Sequence, residues 1–277
     1  MKRVALTIFA ATSLAICSAG ITSAADLRVK APAAQVLAPA YSWTGFYAGL
    51  NAGGVWGNTD IDYRASDFGF SGPAGAAALN SVASGKIESS GFTGGGQIGY
   101  NYQFDRVVLG IEADLQYTGL SGNRFVTWAV PPALQGPVTD TFAQTMQSKW
   151  LSTVRGRLGV ASGPWLFYAT GGLAVADVSY SDVGFFPFLP STNAASKSET
   201  RAGWTVGAGA EWMFTSNWSV KAEYLYVDLG TTSYTSINNI LNAPPTLATI
   251  VHDHHLTENI GRIGVNYKFG GPIVARY

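Results

Sequence analysis

The chain has 277 residues and no net formal charge; only 12% of its residues are charged, 13% are aromatic, and 33 are glycine. An ordinary soluble domain carries about 25% charged residues, and a nucleic-acid-binding chain would show a basic run, of which this sequence has none. The single cysteine, Cys17, excludes an intrachain disulfide framework.

At the N-terminus Lys2 and Arg3 precede an apolar run at 4–16 and the small residues Ser23-Ala24-Ala25. This order predicts a secretory signal peptide over residues 1–25, cleaved after Ala25. Its apolar core is shorter than the roughly 20 residues of a membrane-spanning helix, and Ile16 before Cys17 departs from a lipoprotein site. Cleavage leaves a chain without cysteine and with a slight acidic excess. Residues 26–41 are rich in Ala and Pro without periodicity, and predict an extended periplasmic lead-in.

Strand patterning begins next, with strands expected at about 43–57, 90–104, 107–120, 147–161, 165–180, 200–214, 218–230 and 255–269. The clearest lies at 92–117. Phe92, Ile98, Tyr100, Tyr102 and Phe104 alternate with Thr93, Gln97, Asn101 and Gln103; beyond Asp105-Arg106, Val107, Leu109, Ile111, Leu115 and Tyr117 alternate with Val108, Glu112, Asp114 and Gln116. A turn at Asp105-Arg106 would set Phe104 opposite Val107, Tyr102 opposite Leu109 and Tyr100 opposite Ile111, apolar against apolar. Strands of soluble sheets typically run about 5–6 residues, whereas a lipid-crossing strand needs about 9–11.

After the signal no apolar stretch is long enough for a transmembrane helix. A closed barrel is the other structure that can cross a bilayer. The expectation is therefore an all-β protein, an eight-stranded antiparallel up-and-down transmembrane β-barrel over 42–269, in the outer membrane, followed by a tail at 270–277.

The connections alternate in length, as in barrels with tight periplasmic turns and longer extracellular loops. Asp105-Arg106, Ser162-Gly163-Pro164 and Thr215-Ser216-Asn217 are short; 58–89, 121–146, 181–199 and 231–254 are long, and contain Gly72-Pro73-Ala74-Gly75, Pro131-Pro132 and Pro244-Pro245. Two aromatic bands follow, Phe104, Trp165, Phe167, Phe214, Trp218, Tyr267 and Phe269 near the turns, and Trp56, Phe92, Tyr117, Trp150, Tyr180, Trp204 and Tyr226 near the loops. Such rings suit the two lipid–water interfaces.

The same parity aims Glu112, Asp114, Arg155, Arg157, Glu211, Lys221, Glu223, Arg262 and Lys268 inward. Eight strands enclose a space that side chains can just fill, and charges there must pair. A structural plug is the expectation; a small porin passing ions or solutes is the alternative, kept open by inward glycines such as Gly95, Gly99 and Gly110. The last strand carries Arg262, Gly264, Tyr267 and Phe269 at positions one, three, six and eight, a pattern resembling the signal that the outer-membrane assembly machinery reads, although here eight residues follow it.

The segment at 41–49, Tyr-Ser-Trp-Thr-Gly-Phe-Tyr-Ala-Gly, with Asn51-Ala52-Gly53-Gly54, the strand at 95–104 and the closing Asn266-Tyr267-Lys268-Phe269, resembles the outer-membrane immunogenic protein family of alpha-proteobacteria, the RopB type. That resemblance implies an eight-stranded porin-like surface protein acting in envelope integrity and host or symbiont contact, with no catalytic residues; some relatives bind haemin. The expected partners are outer-membrane lipid, the assembly machinery and a surface ligand of the long loops.

All three histidines cluster at His252-Asp253-His254-His255. Imidazoles ligate haem iron and divalent metals, so haemin or metal capture by His252, His254 and His255 is a minor alternative to a solvated rim. Ser233 or Ser236 with a histidine near Asp253 would be the residues of a hydrolase, but no nucleophile motif surrounds them. The expectation is a non-enzymatic protein that needs no cofactor.

Overall fold

A computed structural model describes residues 41–66, 72–129, 139–186, 191–238 and 248–270. The expected signal peptide, most of the lead-in, Pro131-Pro132, Pro244-Pro245 and the tail from 271 lie outside the described residues. Eight strands, β1 (Gly45–Ala65), β2 (Gly85–Phe104), β3 (Val107–Ala129), β4 (Thr139–Ser162), β5 (Trp165–Phe186), β6 (Ser191–Met213), β7 (Trp218–Asn238) and β8 (Ala248–Lys268), pair antiparallel in sequence order. β8 closes on β1 over Tyr47↔Lys268 to Ala65↔Ile250.

The predicted hairpin register holds: Phe104 faces Val107, Tyr102 faces Leu109 and Tyr100 faces Ile111. Asp105 takes a φ of 53°, the left-handed conformation a two-residue hairpin turn demands and one that Asp tolerates. Phe92, Ile98, Tyr102, Phe104, Leu109, Ile111, Leu115 and Tyr117 face outward, while Gln97, Glu112, Asp114 and Gln116 are buried inside.

Between Trp204 and Phe214, ten residues of a strand tilted by about 40° rise about 25 Å, the height of a lipid-facing apolar band. Phe104, Trp165, Phe167, Phe214, Trp218, Tyr267 and Phe269 are exposed at the lower margin, and Trp56, Phe92, Tyr117 and Trp204 at the upper. Tyr180 does not belong to the upper band. It lies fifteen residues after Trp165, an odd offset, so a two-residue period turns it into the lumen, where it is 2% exposed.

The strands run well beyond their expected upper ends. Much of 121–146, 181–199 and 231–254 is strand rather than loop: β3 reaches Ala129 opposite Thr139 of β4, and β5 reaches Phe186 opposite Ser191 of β6. Above the bilayer the outer face meets water, so polar outward residues such as Ser121, Asn123 and Ser181 blur the lipid-facing alternation while the hydrogen-bonded ladder continues. Register shifts between Gln147 and Leu151 and between Asp228 and Thr231 reverse the inward parity in β4 and β7.

The first long connection also holds a helix, α1 (Gly72–Ala83), where a loop was expected. Pro73 sits in its first turn and an alanine-rich run follows, both favourable to helix. Arg124 caps its C-terminus by donating to the carbonyls of Val82, Ala83 and Ser84. Leu79 and Ala83 are buried in an apolar cluster with inward residues of the strands.

Candidate functional site in the barrel lumen

The lumen is layered. At the end that carries the short turns, Trp43, Val108, Ala161, Leu166, Tyr168 and Met213 form a small apolar floor. Immediately above it stand the eight charged groups whose inward direction the alternation predicts, and all eight are buried.

Arg155 is the hub. Its Nη2 lies 2.5 Å from Glu112 Oε1 and 2.8 Å from Asp114 Oδ2, while Nη1 reaches Glu223 Oε1 at 3.2 Å. Arg157 pairs with Glu211 at 2.8 Å and more loosely with Glu112 at 3.4 Å. Lys221 Nζ lies 2.9 Å from both Glu112 oxygens. Arg262 bonds Asp114 at 2.9 Å and Glu223 at 2.5 Å. Four carboxylates thus face four cations, and charge-assisted hydrogen bonds offset the desolvation of ions buried this deeply.

Aromatic and amide groups complete the layer. Tyr47 donates to Glu112 at 2.8 Å and Tyr168 to Glu223 at 2.8 Å, and the Arg157 guanidinium carbon lies 3.9 Å from the Tyr168 ring centroid. Gln97 links Asn51 to Asn266, which reaches Glu211. The space beside the inward glycines is occupied. A Cβ at Gly99 would overlap the Tyr47 ring, at Gly209 the Tyr168 ring, at Gly110 the Asn101 amide and at Gly95 the backbone of Leu115. Lys268, expected with this network, is half-buried at the rim, where it donates to the Ser42 carbonyl.

Above the ions the inward face becomes apolar. Val55, Leu151, Ala174, Ala176, Leu225, Val227, Leu256 and Ile260 fill this layer, with α1, Tyr63, Met146 and Tyr180 in the same cluster. This layer begins level with lipid, Val55 standing beside Trp56 of the upper band, and continues through Met146 and α1 into the extension above it, where strands longer than the bilayer is thick need an apolar core of the soluble kind. Glu258 is fully buried within this layer, and neither carboxylate oxygen has a partner among the described residues.

The histidines occupy the next level. His252 and His254 point into the barrel and are buried, whereas His255 is partly exposed near Asp228. Asp182, a residue with no distinguishing motif, joins them: His252 Nδ1 and His254 Nε2 each lie 3.1 Å from its Oδ2. Tyr234 donates to the same oxygen. Burial alone would raise the Asp182 carboxyl, but the hydrogen bonds from His252 and His254 outweigh it and hold its pKa below the ordinary carboxylate range.

Ser236 Oγ lies 2.8 Å from His252 Nε2, but Ser233 points outward and Asp253 is engaged by Arg64. Ser233 and Asp253 stand opposite each other on the outer face of the β7–β8 ladder, away from the inward His252 and His254. The cavity beside His252, lined by Tyr63, Phe142, Gln144, Asp182 and Ile250, measures about 10 Å³, room for a water-sized body and not for a porphyrin. Of the closing-strand pattern, Arg262 and Gly264 face inward, and Tyr267 and Phe269 face outward at the lower band. The alternation carried the ionic layer; Tyr47 and Tyr168 fell in expected strands without a signal of what they meet, and Asp182 and Tyr234 lay in segments expected to be loops.

The profile of the outer membrane protein beta-barrel domain matches residues 12–269. The chain is 36% identical over 265 residues to the 31 kDa outer-membrane immunogenic protein of Brucella melitensis, covering 93% of this chain and 97% of that one. It is 31% identical over 196 residues to the 22 kDa outer membrane protein of Rhizobium leguminosarum bv. viciae, covering 71% and 69%. Among solved structures, the outer membrane protease OmpT of Escherichia coli aligns over 84% of this chain and 99% of its own with a TM-score of 0.44 and 10% identity.

Proposed function

Because the chain belongs to the outer membrane protein beta-barrel family, with immunogenic outer-membrane proteins among its relatives, we propose that it serves the envelope as a sealed barrel rather than as a pore. It would stiffen the outer membrane and present its upper strands and loops for surface contact. One observation carries this reading: an ionic layer of four carboxylates and four cations, closed above by an apolar layer, fills the lumen of the described residues.

An ion crossing this barrel would have to break buried charge pairs and then shed its water among Val55, Leu225 and Ile260. Each step opposes conduction. The extension of β3, β4 and β5 above the upper aromatic band supports the second part, since it carries the upper ends of these strands clear of the headgroups. Planar-bilayer recording tests the proposal. Refolded protein is expected to leave the bilayer silent over a range of voltages, and steady, reproducible channels of one conductance would overturn it.

A further inference from the structure

We propose that Asp182, His252 and His254 form a binding site for a divalent transition-metal ion that ties opposite walls of the barrel together at its extracellular end. Three facts about the cluster carry the assignment. First, the donor set is two imidazoles and a carboxylate, which suits zinc and neighbouring ions. Ligand atoms from all three side chains lie within 4.8 Å of one another.

Second, two of the three ligand separations match a coordination sphere. Zinc–nitrogen and zinc–oxygen bonds of about 2.0–2.1 Å place tetrahedral ligand atoms about 3.3 Å apart and octahedral ones about 2.9 Å apart. The separations from Asp182 Oδ2 to His252 Nδ1 and to His254 Nε2 are both 3.1 Å. Tyr234 Oη, 3.2 Å from His254 Nε2 and bonded to the same carboxylate oxygen, occupies a fourth direction.

Third, the hydrogen bonding is lopsided in the way a cation would relieve. Three donors converge on Oδ2 of Asp182, while its Oδ1 and Nδ1 of His254 are buried without a partner among the described residues. One ion at the point of convergence would replace three crowded protons. The rings are also held in place. Tyr234 stacks on His252 with centroids 4.8 Å apart, Tyr180 stacks on His254 at 4.4 Å, and Ser236 Oγ meets His252 Nε2, the outer contact that orients a ligating imidazole.

The placement gives the site its consequence. Asp182 comes from β5 and the histidines from β8, which are not neighbours in the ring. A bound ion would bridge strands that no backbone hydrogen bond joins, near their upper ends.

The test uses the full chain, expressed without an affinity tag, refolded in detergent micelles and titrated with zinc chloride by calorimetry. One ion per chain is expected. His252→Ala and His254→Ala should each weaken binding at least 100-fold, while His255→Ala, outside the cluster, leaves it unchanged. Cobalt(II) added to the unaltered chain should give the intense visible bands of a four-coordinate ion, displaced by zinc; this measurement remains decisive where a variant does not fold. No stoichiometric zinc binding, no such cobalt spectrum, or binding that survives His252→Ala in a folded barrel would each overturn the proposal.

Discussion

Removing Glu112 should unbalance the ionic layer in a way that one second substitution repairs. Glu112 accepts from Arg155 at 2.5 Å, from Tyr47 at 2.8 Å and, through both oxygens, from Lys221 at 2.9 Å. In Glu112→Gln, Arg155 keeps Asp114 and Glu223, and Arg157 keeps Glu211. Lys221 keeps only Glu223, at 3.9 Å. The uncompensated charge therefore falls on a fully buried ammonium, and breaking a buried pair from one side costs about 3–5 kcal/mol. Lys221→Met alone leaves a carboxylate in excess and should cost a similar amount. The double variant restores neutrality with an apolar side chain of similar length, and replacement of both partners is often near neutral. Urea unfolding of protein refolded in micelles, followed by tryptophan fluorescence, should give a coupling between the two sites of at least about 2 kcal/mol. A cost below about 1 kcal/mol for Glu112→Gln, or simple additivity in the double variant, would refute the view that the layer is held by mutual pairing.

Two further outcomes test the placement of the bilayer and the upper lumen. Val154 faces outward midway between the aromatic bands, between Ala113 and Leu173; Val154→Arg should cost about 2–4 kcal/mol in lipid vesicles, whereas Phe125→Arg, on the extension above the upper band, should cost no more than about 1 kcal/mol. Equal costs in denaturant titrations would contradict the assigned height. Burial lifts the Asp140 carboxyl to about 6, so the folded state holds this proton more tightly than the unfolded chain does. Its contribution to stability is therefore full below about pH 4 and declines as pH rises towards 6. Asp140→Asn should flatten that decline in unfolding midpoints measured across the interval, and an unchanged profile would count against it.

Much of the architecture was readable along the chain because lipid imposes a strict rule on one face. Wherever a strand crosses the bilayer, every second residue must be apolar, and this repeat located the spans, the short turns, the outward rings and the inward set from Glu112 to Arg262. The rule lapses above the headgroups. There Asn123, Ser181 and Thr231 stand on the outer face of continuing strands, and the expected loops turned out to be largely ladder. The alanine-rich run after Pro73 did carry a helix signal, but it was hidden within a connection between strands.

Residue order alone thus determined that this is an eight-stranded barrel, which face meets lipid and which charges point inward, since period and composition are local properties. Which of those charges pair, that rings from Tyr47 and Tyr168 fill the space left by Gly99 and Gly209, and that Asp182 meets His252 and His254 seventy residues away were decided only by closure of the sheet. Closure sets register and shear around the whole ring, and only that geometry brings side chains from opposite walls to within hydrogen-bonding distance.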